Sequence, residues 1–502
     1  MAIEQHTSGW DNFVAKHGNV EFVWLQFMSY RSLVYTRMFP IQRFKAMVQK
    51  GKFITIPEVA LLLGPGDVIA EGCFASGKFW LRPDFETVYC QPGSNGTRAV
   101  IMCDFVDDDG THSLQCARSR LRYLEETLLS ELKCSALVGF EIEVMFMQAE
   151  KINGAVRFSM ANYEHSWSSM TADDESMLEM LETIARTLAM ADVPLEQFHA
   201  EAAPGQWEFV LPPARPIQAA DMLIRARETI KRVANSFGYH ATVYSRPSSV
   251  HPGNGGHVHM SVNPVGELDN WVRKAESFFA AIVVSHLVFG VAANTPPGGW
   301  ENKEVPLRRI EENHFEFKLA DGLANPYLTL SAMIAAGIDG MRSQQPLRGG
   351  DCVTSASELS PGERQALGIN TILPKSLDES LNDLEKGLGL RELCGHMIII
   401  TYLMVKRTEA KILRQMAEDD RRNWLIASPA QILGKTAKNL TMNVAPPSSI
   451  WGNALEATGK GEQAPMIGQP TAPSEILGNT GPLGVSPPPA PADDRTNGTS
   501  GI

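Results

Sequence analysis

The sequence predicts an α+β fold, and three observations carry that expectation. Short β-rich runs fill the first hundred residues, amphipathic helical periods alternate with strands from about residue 111, and the polar residues suited to chemistry fall on the strands. Apolar residues make up 44% of the 502 positions and charged residues 20%, the balance of a globular protein with a large core and room for two or three domains. With 45 basic against 57 acidic side chains, the net charge is −12. No long basic run offsets it, which argues against nucleic acid or an anionic membrane as the main partner. The seven cysteines are scattered and form no C-x-x-C pair, which fits reduced cytosolic thiols better than a disulfide framework or a zinc site. The start, MAIEQHTSGWDNF, lacks the flank and apolar stretch of a signal peptide, and the most apolar run, 397–405, is too short to span a bilayer. A cytoplasmic protein is expected.

Residues 1–17 are polar and read as a flexible N-terminus. Over 18–110, FITIPEV, KFWLRPD, ETVYCQPG and RAVIMCDFV are short runs of Val, Ile, Phe and Tyr bounded by Gly, Pro and Asp, which are strand signals. The earlier run VWLQFMSYRSLVYTRMF fits strand or helix. The period then lengthens, with helices expected at 119–132, 174–191, 216–237, 268–291, 325–341 and 391–416. Between them ALVGFEIEVMFMQ reads as a long strand, HAEAAPGQWEFVLPP as a strand pair broken at Pro204-Gly205, and HVHMSVN and FEFKLAD as further strands. These elements assign 111–444 to a second, larger domain. From 445 to 502 the chain is rich in Pro, Gly, Ala and Ser; such a tail cannot offset its ordering entropy by burial and is expected to be disordered.

Six groups on the strands suit hard divalent cations: Glu141 and Glu143 in GFEIEV, Glu201 and Glu208 around PGQ, His257 in GGHVHMS, and Glu316 in HFEFKLAD. Five carboxylates and one imidazole favour two Mg²⁺ or Mn²⁺ ions over zinc. Residues two apart on a strand share a face, so Glu141 pairs with Glu143 and His257 with His259. The glycines before His257 let backbone approach a ligand. Taken singly, each piece is also consistent with a wet strand face or an ordinary turn.

In combination the motifs resemble the glutamine synthetase superfamily over roughly residues 20–430. G-x-E-x-E (139–143), E…P-G-Q-x-E (201–208), G-G-H-x-H-x-S (255–261), E-x-K-x-x-D…A-N-P-Y-L (316–328) and L-R-P-D-x-x-T (81–87) occur in the family's order. The resemblance implies an N-terminal β-grasp domain and a catalytic domain with a curved antiparallel sheet and surrounding helices. It also implies a homo-oligomeric ring of about 10–12 subunits with active sites at subunit boundaries. By motif, Glu143, Glu201 and Glu208 would hold one metal and Glu141, His257 and Glu316 the second. His259, Ser261 and His314 would face the nucleotide, and Gly253, Asn254, Gly255 and Lys318 the acid substrate. ATP would phosphorylate a carboxylate and ammonia or an amine would displace phosphate, with cations stabilising the transferring group.

The chain departs from the family where arginines are expected. The family's R-x-E-x-R reads His314-Phe-Glu316-Phe-Lys318 here, and neither substitute reproduces a bidentate guanidinium fork. The flap region is shortened; Pro297-Gly298-Gly299-Trp300-Glu301 resembles its remnant, which would make Glu301 the flap carboxylate and Arg308 or Arg309 a substitute phosphoryl clamp, with an ordinary surface loop as the alternative. These departures point to a ligase acting on an acid other than glutamate. Two rivals stand beside it: a metal-dependent hydrolase, cyclase or lyase that no longer uses ATP, and a non-catalytic oligomeric scaffold.

Overall fold

In the computed structural model, the described residues are 2–427, less 153–154, 163–166, 171, 173, 268, 286–298, 301–305, 348–351, 353, 355–357, 368–373 and 375. The 445–502 tail and Glu301 lie outside them. Residues 1–17, expected to be flexible, instead contribute helix α1 (Ala2–Lys16). Its Trp10 and Phe13 are buried, and the Trp10 ring meets Phe44 edge-on at 4.9 Å. The polar average of the segment hid two aromatics three residues apart, which is enough for one helical face.

Six strands follow: β1 (Phe22–Met28), β2 (Val34–Pro40), β3 (Thr55–Pro57), β4 (Lys78–Pro83), β5 (Tyr89–Cys90) and β6 (Arg98–Val106). The ambiguous run 23–39 is thus a strand pair, β1 antiparallel to β2. The order is β2-β1-β6-β4-β3, with β5 also on β6. β1 and β6 run parallel and the remaining pairs are antiparallel. Helix α2 (Ile41–Gln49) buries Phe44 and Met47 in the core of this sheet with Val23, Leu25, Ile101 and Phe105. A mixed sheet with a parallel central pair and one helix across it is the grasp arrangement.

The larger sheet is organised by β7 (Cys134–Ile152), which pairs with β8 (Ala155–Met160), β10 (Gln206–Val210), β11 (His240–Thr242) and β12 (Val258–Pro264). Strand β9 (Gln197–Ala200) extends it beyond β10; β15 (His314–Phe317), β14 (Leu307–Glu311) and β13 (Gly299–Trp300) extend it beyond β12. Every pair is antiparallel except β13 with β14. One strand serving four partners along nineteen residues gathers short segments from distant parts of the chain.

Behind the sheet lie α3 (Ala117–Leu132), α4 (Glu175–Met190), α5 (Pro216–Ser236), α6 (Trp271–Ser285) and α7 (Pro326–Ser343). They share the main core with Val138, Ile142, Phe209, Met260 and Phe315. Helix α7 begins where Asn325 accepts from the backbone N–H groups of Tyr327 and Leu328, an N-cap followed by Pro at N1. The C-terminal helices are α8 (Pro361–Ala366), α9 (Leu377–Lys386), α10 (Leu388–Cys394), α11 (His396–Arg414) and α12 (Glu418–Ile426). The single helix expected over 391–416 is broken at Gly395, whose φ of +93° leaves the helical region.

Candidate active site

Strand register builds the site. Glu143 on β7 stands directly opposite Glu208 on β10, and Glu208 stands opposite His199 on β9. On the other flank His259 of β12 is opposite Glu316 of β15, which is opposite Arg308 of β14. Six strands therefore place polar side chains across one face of the sheet, while Ile142, Phe209, Met260 and Phe315 go to the core behind it. Glu201 leaves β9 into the turn that enters β10. Gly205 holds that turn at φ +70°, where an added Cβ would come within 2.6 Å of the Phe146 carbonyl oxygen.

Three groups of ligand atoms result: Glu141 with His257 and Glu316, Glu143 with Glu208 and His257, and His199 with Glu201 and Glu208. Within each group the donor atoms lie within 4.8 Å of one another. His257 Nδ1 is 2.7 Å from Glu141 Oε2 and 3.4 Å from Glu316 Oε1, and its Nε2 is 3.6 Å from Glu143 Oε1. The six expected ligands are thus brought together, and His257 and Glu208 are each shared between groups.

The donor set fits divalent cations on electrostatic grounds. Burial, reinforced by Glu141, Glu143 and Glu201, pushes the Glu208 carboxyl up to about 9. Burial also raises Glu143. Glu141 goes the other way: burial opposes ionisation, but hydrogen bonds from His257 and His259 outweigh it and hold the carboxyl well below its usual range. Buried carboxylates that repel one another are stabilised by a shared cation.

Gln206, visible in the sequence only as part of the P-G-Q-x-E motif, anchors the centre. Its Nε2 donates to Glu143 Oε2 at 2.7 Å and to the Gly253 carbonyl at 3.0 Å. Its Oε1 accepts from the Ala203 N–H. Asn254 is buried and donates to the Thr242 and Tyr244 carbonyls, so it ties the glycine loop to the scaffold. Gly255 donates its N–H to Glu143. The position demands glycine, because a Cβ would lie 2.5 Å from His257 Nε2 and 2.6 Å from Glu143 Oε1.

The cations around Glu316 sort themselves by strand alternation. Lys318 Nζ is 2.6 Å from Glu316 Oε1, and Arg308 Nε is 2.5 Å from Oε2 as an ion pair without hydrogen-bond alignment. Arg309, one residue on, is opposite Phe315 instead; its guanidinium lies over the Phe315 ring and 3.5 Å from Glu276. Of the two candidate clamps, only Arg308 reaches the site face, because adjacent strand residues point to opposite sides. His259 links the metal groups to the flank, with Nε2 3.0 Å from Glu141 Oε1 and Nδ1 3.0 Å from His314 Nε2. Ser261 is opposite His314 on the same face and accepts from Asn263 Nδ2. His199 also joins the site without a motif of its own to mark it; the H-x-E spacing to Glu201 is its signal in the sequence.

A model of the glutamine synthetase catalytic domain matches residues 114–297 and 291–425, more than half of the chain. The chain belongs to the glutamine synthetase family. The two matched segments overlap at 291–297. Protein fluG of Emericella nidulans is 35% identical over 429 residues, 83% of this chain and 50% of that protein. Gamma-glutamylpolyamine synthetase GlnA3 of Streptomyces coelicolor is 30% identical over 266 residues, 46% of this chain and 56% of that one. The chain spans about half the length of these curated relatives. A solved structure described as a GmaS/ADP complex superposes with a TM-score of 0.69 at 19% identity, covering 82% of this chain and 98% of that one. It bears out the α+β, glutamine synthetase-type fold. The family's domain is that of a ligase-type enzyme, generally dependent on ATP and a divalent metal. Among the described residues, no helix is long and apolar enough to cross a membrane.

Proposed function

We propose that this chain is an ATP-dependent ligase that activates a carboxylic acid other than glutamate as an acyl phosphate and joins it to ammonia or an amine. Glu141, Glu143, Glu201, Glu208, His257 and Glu316 would hold two Mg²⁺ or Mn²⁺ ions. When bound, these ions supply charge neutralisation for phosphoryl oxygens. The substrate carboxylate oxygen attacks the γ-phosphorus, and ADP leaves. The amine nitrogen then attacks the acyl carbon, phosphate leaves and the nitrogen loses a proton, for which Glu301 is the candidate acceptor. Arg308, beside Glu316, serves as the phosphoryl clamp; His259, Ser261 and His314 line the nucleotide side, and the 253–255 loop with Lys318 the acid side.

The single observation that carries this reading is the pairing of an intact donor row with altered cations around Glu316. The metal ligands of the family persist, which favours retained phosphoryl chemistry. Lys318 stands where the family has the guanidinium fork that grips the substrate carboxylate, which favours a different acid. A cytoplasmic ring of subunits belongs to the same reading.

The test is ADP release from purified protein with ATP, Mg²⁺ or Mn²⁺ and a panel of acids and amines, with the amide identified by mass. Silence across a broad panel would end the ligase reading. A product that requires metal but ignores ATP would transfer the site to an ATP-independent enzyme.

A further inference from the structure

His199 is absent from the ligand set that the family motifs assign, yet the sheet presents it as a donor. The register puts it opposite Glu208 in the same row that puts Glu208 opposite Glu143. His199 Nε2 lies 3.6 Å from Glu208 Oε1, the same separation as His257 Nε2 from Glu143 Oε1. That is too long for a hydrogen bond. It matches the roughly 3–4 Å between donor atoms that each lie about 2.1 Å from one small cation. His199 Nδ1 is buried with no hydrogen-bond partner, so no hydrogen bond at Nδ1 dictates which ring nitrogen carries the proton. The Glu201 and Glu208 oxygens complete a group whose atoms all lie within 4.8 Å.

We propose that His199 is a metal ligand, completing with Glu201 and Glu208 an outer cation position of one nitrogen and two oxygen donors that selects Mn²⁺ over Mg²⁺. The inference rests on the metal-binding reading above and adds a residue and a selectivity to it. Mg²⁺ takes oxygen donors and sheds water reluctantly, so an imidazole in its shell is a poor exchange. Transition-metal cations accept imidazole nitrogen readily, and Mn²⁺ is the hardest of that series, compatible with the two carboxylates beside it. The arrangement gives the donor row an imidazole near each end, His257 towards Glu316 and His199 beyond Glu208.

The full chain, stripped with a chelator, is titrated with Mn²⁺ followed by electron paramagnetic resonance, alone and against Mg²⁺. Pulsed measurements read ¹⁴N couplings from metal-bound imidazole. Wild type, His199→Gln, His199→Asn and His257→Gln are compared, with circular dichroism and melting temperature confirming the fold. The expected result is that either His199 variant weakens Mn²⁺ binding at one position by about tenfold or more, in line with the loss of a donor. Mg²⁺ affinity should change less than about threefold, since that ion gains little from nitrogen. His257→Gln should retain one imidazole coupling, contributed by His199. Folded His199 variants with unchanged Mn²⁺ affinity and selectivity would overturn the proposal, as would loss of all nitrogen coupling in His257→Gln. Wild-type protein that binds no divalent cation would overturn both this inference and the functional reading on which it rests.

Discussion

Glu208 faces Glu143 squarely across β10 and β7, and both carboxyls are almost fully buried, at 6% and 7% exposure. Like charges directly opposed on a sheet destabilise it, and burial removes the water that would screen them. The pair therefore makes the metal-free protein sensitive to pH.

The first prediction follows from the sign of that shift. Glu208 is raised to about 9 when folded, against about 4.3 in an unfolded chain. The folded state thus binds the proton more tightly, and this contribution is fully present below about pH 4 and is lost as pH climbs towards 9. In chelator, the melting temperature should fall between about pH 5 and 9, and saturating Mn²⁺ or Mg²⁺ should flatten the slope. Metal-free Glu208→Gln should melt higher than metal-free wild type at pH 8 and nearly level with it at pH 5. An unchanged pH profile in that variant would show that Glu208 does not carry the effect.

A second prediction separates two neighbouring arginines. Arg308→Ala should reduce ATP-dependent turnover by about 10²–10³-fold, the usual effect of losing one electrostatic partner of a transferring phosphoryl group. Arg309→Ala, on the other face of β14, should stay within about threefold and cost at most ~1 kcal/mol from its aromatic and ion-pair contacts. Steady-state kinetics on both variants decide the matter; the reverse order would mean the face assignment is wrong.

Gln206 offers a third. Gln206→Leu removes donors to Glu143 and the Gly253 carbonyl, and it orphans the Ala203 N–H that its Oε1 accepts from. A loss of about 1–3 kcal/mol in urea unfolding is expected, together with a 10–100-fold drop in metal affinity, as for other groups that orient ligands. Isothermal titration with Mn²⁺ reads the second effect independently of the first.

The fourth concerns the junction between the grasp sheet and the catalytic unit. Arg118 is buried and donates to Asp84, Asp104 and Asp221; the Tyr327 hydroxyl also donates to Asp221. Arg118→Met leaves three carboxylates without their principal counter-ion. It should destabilise the fold by about 3–5 kcal/mol, seen as a lower denaturation midpoint or insoluble expression. A midpoint equal to that of wild type would show that Arg122, which also reaches Asp84, suffices alone.

Much of this was legible in the sequence because strand periodicity is local. Alternation around Glu141, Glu143, His257 and Glu316 announced a polar face before any partner strand was known. The helix break at Gly395 was harder to see, since the surrounding apolar pattern continues on both sides. Helix α1 was missed because its buried Trp10 finds its partners, Phe44 and Phe85, far along the chain. Composition averaged over 1–17 carries no trace of those partners.

The sequence by itself determined the fold class, the family and the six carboxylate and imidazole groups of the candidate site, since these depend on short spacings and motif order. Tertiary structure alone decided that Glu208 opposes both Glu143 and His199, that Arg308 rather than Arg309 reaches Glu316, and that Gln206 holds the glycine loop to Glu143. The physical reason is register. A strand's own residues fix which side chains share a face, but only hydrogen bonding between strands far apart in sequence fixes which faces meet, and a slip of one residue would have reversed every one of these pairings.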